Sequence, residues 1–447
     1  MIILSVSQDL KNVISFWREI RIPKDLIPRE LNIDLSGKDI VVLTGVRRSG
    51  KTYAMFQLIS HLIESGVEEN RIFYINFEDE RIPQEKGLLS DIISLIRSRA
   101  GRLEDVVILL DELHIMPEWN RWLYRLYERE KPAVAVTGST SKLSLWDLPR
   151  ELRGRCLTYQ LFPLRFWEFL KFRGEKISGF GEWDRARLMS LFEEYLRFGG
   201  LPEVVLSPAY RRLRILQDYY WTIVTRDIAE RHGVNNISLL STVLKYIANT
   251  VYFSASKLHN ILKSAGYRIG KEKILNFADY AEECFFIYQA PQFHERASQK
   301  IILPRKIYIG DTGFITALAT RKAKLGRLLE NLVFIELMRR YYHDPTIEIS
   351  YLTFREGEVD FIISKGVEII EVIQVCYDPT DIETKQREIP PLVSILKRFR
   401  IKRGTVITAS YEAVEKYGTK EITYIPYIKW EQKQNQHEQH IIKPDEP

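Results

Sequence analysis

The stretch Gly45-Val46-Arg47-Arg48-Ser49-Gly50-Lys51-Thr52 matches G-x-x-x-x-G-K-[ST] at every fixed position. An apolar, β-rich run, Ile40-Val41-Val42-Leu43-Thr44, precedes it. A helical pattern follows, with Met55, Phe56, Ile59, Leu62 and Ile63 on one face. Strand, glycine loop and helix is the context in which such a loop cradles phosphate. Gly45 and Gly50 let the backbone wrap closely, so that successive N–H groups point at phosphate oxygens. The helix N-terminus adds partial positive charge. Lys51 is expected to reach the β- and γ-phosphates, and the Thr52 hydroxyl to ligate Mg²⁺. Val46, Arg47, Arg48, Ser49 and Tyr53 complete the expected nucleotide-binding stretch. A chance glycine turn with a lysine is the competing reading, and the flanking strand and helix speak against it.

A second strand reads Ile72 to Phe77 and ends in Glu78-Asp79-Glu80. A third, Val106-Val107-Ile108-Leu109-Leu110-Asp111-Glu112, is apolar on both faces and carries two acids at its C-terminal end. That edge of a parallel sheet is where ligands bind. Asp111 is expected to hold the Mg²⁺ shell, and Glu112 to orient and deprotonate the attacking water. Read alone, the pair could equally be solvated acids at a strand exit. Beside the glycine loop, the nucleotide reading wins, with ATP and Mg²⁺ as the expected cofactors.

A further strand, Ala133 to Thr137, runs into Gly138-Ser139-Thr140-Ser141. Ser139 is a candidate to sense the γ-phosphate, or else a hydroxyl capping the next helix. Arg153 and Arg155, in Glu151-Leu152-Arg153-Gly154-Arg155, are candidates for an arginine finger acting in cis or on a neighbouring subunit. A surface salt bridge competes for each.

With 447 residues, the chain is long enough for two to four domains. Hydrophobic residues make up 45% and charged residues 28%, a globular composition. The formal charge of +6 permits nucleic-acid binding without demanding it. No apolar run approaches the ~18 residues of a membrane span, so no membrane partner is expected. Neither is a signal peptide, because Met1-Ile2-Ile3-Leu4 lacks a basic region. Cys156, Cys284 and Cys376 are far apart, which argues against a metal knuckle and for a reducing compartment, the cytoplasm.

A wider set of motifs joins the glycine loop: Leu110-Asp111-Glu112-Leu113-His114, Met116-Pro117-Glu118-Trp119, Thr137-Gly138-Ser139, Leu152-Arg153-Gly154-Arg155 and Phe162-Pro163-Leu164-Arg165-Phe166-Trp167-Glu168-Phe169-Leu170. With Phe198-Gly199-Gly200-Leu201-Pro202-Glu203 and Lys306-Ile307-Tyr308-Ile309-Gly310-Asp311-Thr312-Gly313-Phe314, it resembles the archaeal-type AAA-like P-loop ATPases. The resemblance implies an α/β P-loop NTPase domain with a parallel sheet, a helical lid and a C-terminal nuclease-like domain. The expected organisation is an N-terminal adaptor over residues 1–35, an ATPase core over 36–182 and a lid over 183–238. A winged helix over 239–311, a nuclease-like domain over 312–430 and a flexible tail over 431–447 follow.

Two of these parts are also argued from their residues. Between Leu239 and Asp311, three helical patterns and strands at Phe285–Tyr288 and Lys306–Ile309 give a winged-helix layout. Lys271 and Lys273 would start its recognition helix. Arg296, Lys300, Arg305 and Lys306 would lie in its ribbon and touch the phosphates of double-stranded DNA. The alternative is a module that only packs against protein. Arg211, Arg212 and Arg214 read as a solvated helix face. In the last domain, acids Glu330 and Glu336 on a helix, Asp360 on a strand and a second strand resemble the restriction-endonuclease-like fold, whose motif is D…(D/E)-x-K. Its second acid falls at Glu371 or at Gln374, and the second register, Gln374-Val375-Cys376, is preferred. Either way the lysine is missing, which points to a degenerate nuclease site. Lys397, Arg398, Arg400, Lys402 and Arg403 could keep a binding surface or be a solvated face.

The expected activity is therefore Mg²⁺-dependent ATP hydrolysis coupled to DNA or partner binding, with a homo-oligomer also open. A nucleotide-dependent switch with slow turnover, and an active metal nuclease, are the other readings.

Overall fold

A computed structural model describes residues 22–35, 37, 39–138, 154–175, 182–296, 299, 303–355 and 357–433. The chain divides into two compact units. The first ends at Phe162 and includes Glu283–Phe285; the second holds Pro163–Glu282 and the residues from Phe286 on. The division between the units falls ahead of the helix Phe166–Phe172.

The first unit is built on a parallel sheet. Its strands are β1 (Ile40–Thr44), β2 (Ile72–Asn76), β3 (Val107–Asp111), β4 (Ala133–Thr137) and β5 (Cys156–Gln160), in spatial order β2-β3-β4-β1-β5. Helices α1 (Lys51–Glu64), α2 (Leu88–Ala100) and α3 (Trp119–Arg129) cover it. The period-two alternation of β1 explains why both faces are buried. Ile40 and Val42 pack with Ile92 and Ile96 of α2 and Leu123 and Leu126 of α3. Val41 and Leu43 pack with Met55, Leu58 and Ile59 of α1. The described part of the adaptor joins this second face through Ile22, Leu31, Ile33 and Leu35. Arg29 fastens it: its N–H donates to Gln57 Oε1, and Gln57 Nε2 donates back to the Arg29 carbonyl, both at 2.9 Å.

The second unit begins with α4 (Phe166–Phe172), α5 (Glu182–Phe198), α6 (Pro202–Leu206) and α7 (Ala209–Thr222), continued by a π-helical stretch Ile223–Glu230. Next come α8 (Ile237–Asn249), β6 (Tyr252–Phe253), α9 (Ala255–Ser264), α10 (Lys271–Glu283), β7 (Ile287–Ala290) and β8 (Arg305–Ile309). The three strands form an antiparallel sheet of order β6-β8-β7. Helices α11 (Thr312–Leu318) and α12 (Leu325–Tyr341) lead to a mixed sheet of β9 (Ile347–Phe354), β10 (Gly357–Lys365), β11 (Glu368–Val375), β12 (Arg403–Thr408), β13 (Ala413–Tyr417) and β14 (Lys420–Pro426). Its order is β13-β14-β12-β11-β10-β9. β9, β10 and β11 form an antiparallel meander; α13 (Ile382–Arg398) then crosses over so that β12 pairs parallel to β11. Ile389, Leu392, Ile395 and Leu396 of α13 bury against Val359, Ile362, Val372 and Val406 of the sheet.

Three expectations on this unit are corrected. Arg212 is not on a solvated face: it is 2% exposed, pairs with Glu194 at 2.7 Å and lies over the Phe198 ring, while Arg211 and Arg214 are exposed. The expected tail over 431–447 is helical at its start, and residues 434–447 lie outside the described residues. Residues 427–433 are helical, and the buried Glu431 accepts hydrogen bonds from Phe166 N–H at 3.1 Å and the Tyr427 hydroxyl at 2.9 Å. Lys306 does not face a ligand from the ribbon; it is buried among acids.

Candidate functional site

The loop between β1 and α1 is shaped by its glycines. Gly45 has φ +142°, and a Cβ there would lie 2.3 Å from the Leu161 carbonyl oxygen, so any side chain is excluded. Gly50, with φ +97°, sits directly before Lys51 and sets the first turn of α1. Arg48 also adopts a left-handed conformation, φ +69°. From the adaptor, the Arg29 guanidinium donates to the carbonyls of Ser49 and Phe162 at 3.0 Å each, bracing the loop from behind. Lys51 is 5% exposed, and its Nζ donates to the Gly45 carbonyl at 3.1 Å. The Ser49 hydroxyl is buried without a hydrogen-bond partner. An orphaned buried hydroxyl in the glycine loop suits a phosphate oxygen.

Strand order brings the acids to this loop. β4 lies between β1 and β3, with Leu43 opposite Thr137 and Leu110 opposite Val136. The carboxyl ends of β1, β4 and β3 therefore converge. Thr52 Oγ1 donates to Asp111 Oδ2 at 2.7 Å, and the Tyr74 hydroxyl donates to the same oxygen at 2.9 Å. Thr137 Oγ1 donates to Asp111 Oδ1 and accepts the Glu112 N–H at 2.9 Å. Burial and the Asp111 charge push the Tyr74 phenol far up, which keeps it a donor. The hydroxyl oxygen of Thr52 and the carboxylate of Asp111 are hard oxygen ligands held next to each other, a set whose chemistry fits Mg²⁺.

Glu112 occupies a left-handed conformation, φ +53°. Its Oε1 lies 3.9 Å from Lys51 Nζ and its Oε2 3.3 Å from His114 Nδ1. Burial raises its carboxyl to about 7; the Lys51 ammonium opposes the shift and the Asp111 and Glu78 charges support it. Arg47 pairs with Glu78 at 3.5 Å, and Tyr53 is exposed.

The structure brings Gly45, Ser49, Gly50, Lys51, Thr52, Asp111 and Glu112 together. It does not bring Arg155. That side chain pairs with Glu128 and lies over the Tyr127 ring. The neighbouring Cys156 is in register with Ile40, the first residue of β1. The glycine loop leaves the far end of the same strand, roughly 13 Å away at ~3.3 Å per residue. Arg155 thus lies at the end of β1 opposite the glycine loop. Arg153 and Ser139 lie outside the described residues. The roles of Thr137, Tyr74 and Arg29 were missed: Thr137 was read as a strand end and as part of the Thr137-Gly138-Ser139 motif with no role at Asp111, and no local pattern links Tyr74 or Arg29 to a loop they meet through folding.

In the second unit, Glu330 and Asp360 come together, and Glu336 does not join them; it pairs with Arg165 at 3.2 Å and with Arg339. Gln374 is beside Asp360, accepting the Asp360 N–H at 3.2 Å, whereas Glu371 pairs with Arg340 at 3.4 Å. Of the two registers, the one at Gln374 is adjacent to Asp360. Cys376 is buried, and burial with the Glu388 charge pushes its thiol up to about 12. Among the described residues no helix is long and apolar enough to cross a membrane.

A parallel sheet of this order, a glycine loop opening α1 and Asp111 across from Thr52 define a P-loop protein of the AAA type. A family model described as an AAA domain matches residues 37–170, and two described as domains of unknown function match 189–325 and 325–428. An uncharacterized protein of Methanocaldococcus jannaschii is 32% identical over 424 residues, 92% of each chain. An uncharacterized protein of Haemophilus influenzae is 31% identical over 344 residues, covering 76% of this chain and 82% of its own. A solved structure, the Walker-type ATPase of Pyrococcus abyssi, is 14% identical, with a TM-score of 0.42 over 70% of this chain and 94% of its own. The chain belongs to the family of the Methanocaldococcus protein, with an AAA-type P-loop domain at its N-terminal end.

Proposed function

We propose that this protein is a Mg²⁺-dependent ATPase whose nucleotide cycle acts on the helical and α/β parts of the second unit. The observation that carries the reading is the 2.7 Å bond from Thr52 Oγ1 to Asp111 Oδ2, with Glu112 beside Lys51. Thr52 and Asp111 would hold the metal, which when bound neutralises charge between the β- and γ-phosphates. The loop N–H groups and the Ser49 hydroxyl bind phosphate oxygens. Lys51 exchanges the Gly45 carbonyl for a phosphate. Glu112 accepts the proton of the attacking water at its carboxylate, and a value near 7 suits a general base at neutral pH. Thr137 orients both acids at once.

ATP hydrolysis by wild type and Glu112→Gln tests this. Turnover lost while ATP binding remains is the expected result; turnover unchanged would sink the mechanism. ATP binding with no measurable wild-type turnover would instead favour a nucleotide switch.

For the second unit the reading is a winged-helix module offered to double-stranded DNA. The order α8, β6, α9, α10, β7, β8 supports it, as do Lys271 and Lys273, exposed at the start of α10. Salt-sensitive DNA binding should weaken on Lys271→Glu with Lys273→Glu. Binding unaffected by both changes would leave a protein partner or a second copy of the chain as the target.

A further inference from the structure

Four side chains of the second unit converge on one point. Lys306 of β8 is 2% exposed, and its Nζ lies 2.5 Å from Glu330 of α12, 2.5 Å from Glu358 and 3.1 Å from Asp360 of β10. β8 belongs to the three-stranded sheet; α12 and β10 belong to the α/β domain. The nuclease-like reading of that domain asks for a divalent cation between Glu330 and Asp360. The residues do not fit one. A metal would need the point between the acids that the Lys306 ammonium already fills, and further donors hold the acids in place. The Tyr308 hydroxyl donates to Glu330 Oε1 at 2.9 Å, and Val375 N–H donates to Asp360 Oδ2 at 2.9 Å. Gln374, in the second acid's place, gives its amide to Glu388 at 2.6 Å. Among the described residues no group of three or more His, Cys, Asp or Glu is arranged to hold a metal ion.

We propose that Lys306 is the resident cation of this cluster, taking the place of a divalent metal, so that the C-terminal domain is a metal-independent module clasped through β8 to the three-stranded sheet. The electrostatics agree. Burial pulls the ammonium's proton affinity down, but the Glu330 and Asp360 charges outweigh burial and hold Lys306 raised. Each contact is a charge-assisted hydrogen bond, and a buried ion pair persists only when its groups are paired this fully. A lysine is present after all. It comes from a strand more than fifty residues before Asp360, where a motif confined to D…(D/E)-x-K does not look.

The test is Mn²⁺ binding by the full chain without nucleotide, read from the electron paramagnetic resonance signal of free Mn²⁺. Comparison with Asp360→Asn isolates this cluster from the P-loop. Superimposable isotherms for wild type and Asp360→Asn are expected. Mn²⁺ bound by wild type and lost in Asp360→Asn, or Mn²⁺-dependent DNA cleavage lost in that variant, would overturn the proposal. Lys306→Met should gain about one Mn²⁺ per chain, as three freed carboxylates would bind it, and lose it again on adding Asp360→Asn. A folded Lys306→Met chain with the wild-type isotherm would overturn the substitution of ammonium for metal. Should that variant not fold, the wild-type and Asp360→Asn comparison still decides.

Discussion

Asp311 docks into the turn at Gly200, 111 residues earlier in the chain: its Oδ2 accepts the Gly200 N–H at 2.7 Å. Its Oδ1 accepts the Gly313 N–H at 2.8 Å, so one carboxylate caps α11 and ties it to the end of α5. Gly199 makes room for it, since a Cβ there would lie 1.7 Å from Asp311 Oδ1. Asp311→Ala leaves two buried N–H groups without an acceptor, a cost of about 1–3 kcal/mol each. The denaturation midpoint of the second unit should fall, and Gly199→Ala should lower it too. Unchanged midpoints in both would refute the clasp.

The same carboxyl makes stability depend on pH. Burial raises Asp311 to about 6, against the pull of the Gly200 and Gly313 N–H groups. The folded state therefore binds this proton more tightly than the unfolded chain. Its contribution is full below the ordinary carboxylate range near 4 and declines as pH rises to about 6. Denaturation of wild type and Asp311→Ala across that window should show the extra slope only in wild type.

Glu112 should govern turnover. Glu112→Gln is expected to reduce kcat by about 10²–10⁴-fold, the usual contribution of a positioned base, with ATP binding retained. Because burial raises its carboxyl to about 7, log kcat in wild type should fall toward pH 6 and level off above pH 8. A flat profile from pH 6 to 8 would remove Glu112 from the proton transfer.

Thr137 should matter as much as a metal ligand. Thr137→Val removes the acceptor of the Glu112 N–H and the donor to Asp111 Oδ1. Turnover should drop by more than about tenfold, with a stability cost of roughly 1–3 kcal/mol. Tyr74→Phe, which removes one of three donors to Asp111, should be milder. Arg155→Ala should change stability by about 1 kcal/mol at most, as expected of an exposed pair.

The end of the described chain is structural. A chain ending at Pro426 loses the buried Tyr427, Trp430 and Glu431 and strands the Phe166 N–H. It should be markedly less stable than one ending at Lys433. Equal thermal midpoints for the two would contradict the packing.

How much of this was legible depended on sequence distance. The glycine loop, the strand before it and the helix after it are neighbours along the chain, and their geometry follows from residue type and hydrophobic period. Asp111 and Glu112 were legible for the same reason, at the end of an unbroken apolar strand. Glu431 was misread because the Gln-rich composition around it hid a carboxylate that packs against a helix start 265 residues away. Arg212 was misread because a basic triplet on a helix looks solvated until an acid from another helix covers one of its members.

The sequence by itself determined the phosphate-binding loop and the acids of its strand partner, because those are local patterns whose physics is written in adjacent residues. Only the tertiary structure decided that β4 would bring Thr137 to Asp111, that Asp311 would close on Gly200 and that Lys306 would take the centre of the acidic cluster. Those are pairings across strands and helices, made by burial and by the need of buried charges and N–H groups for partners, and no spacing along the chain encodes them.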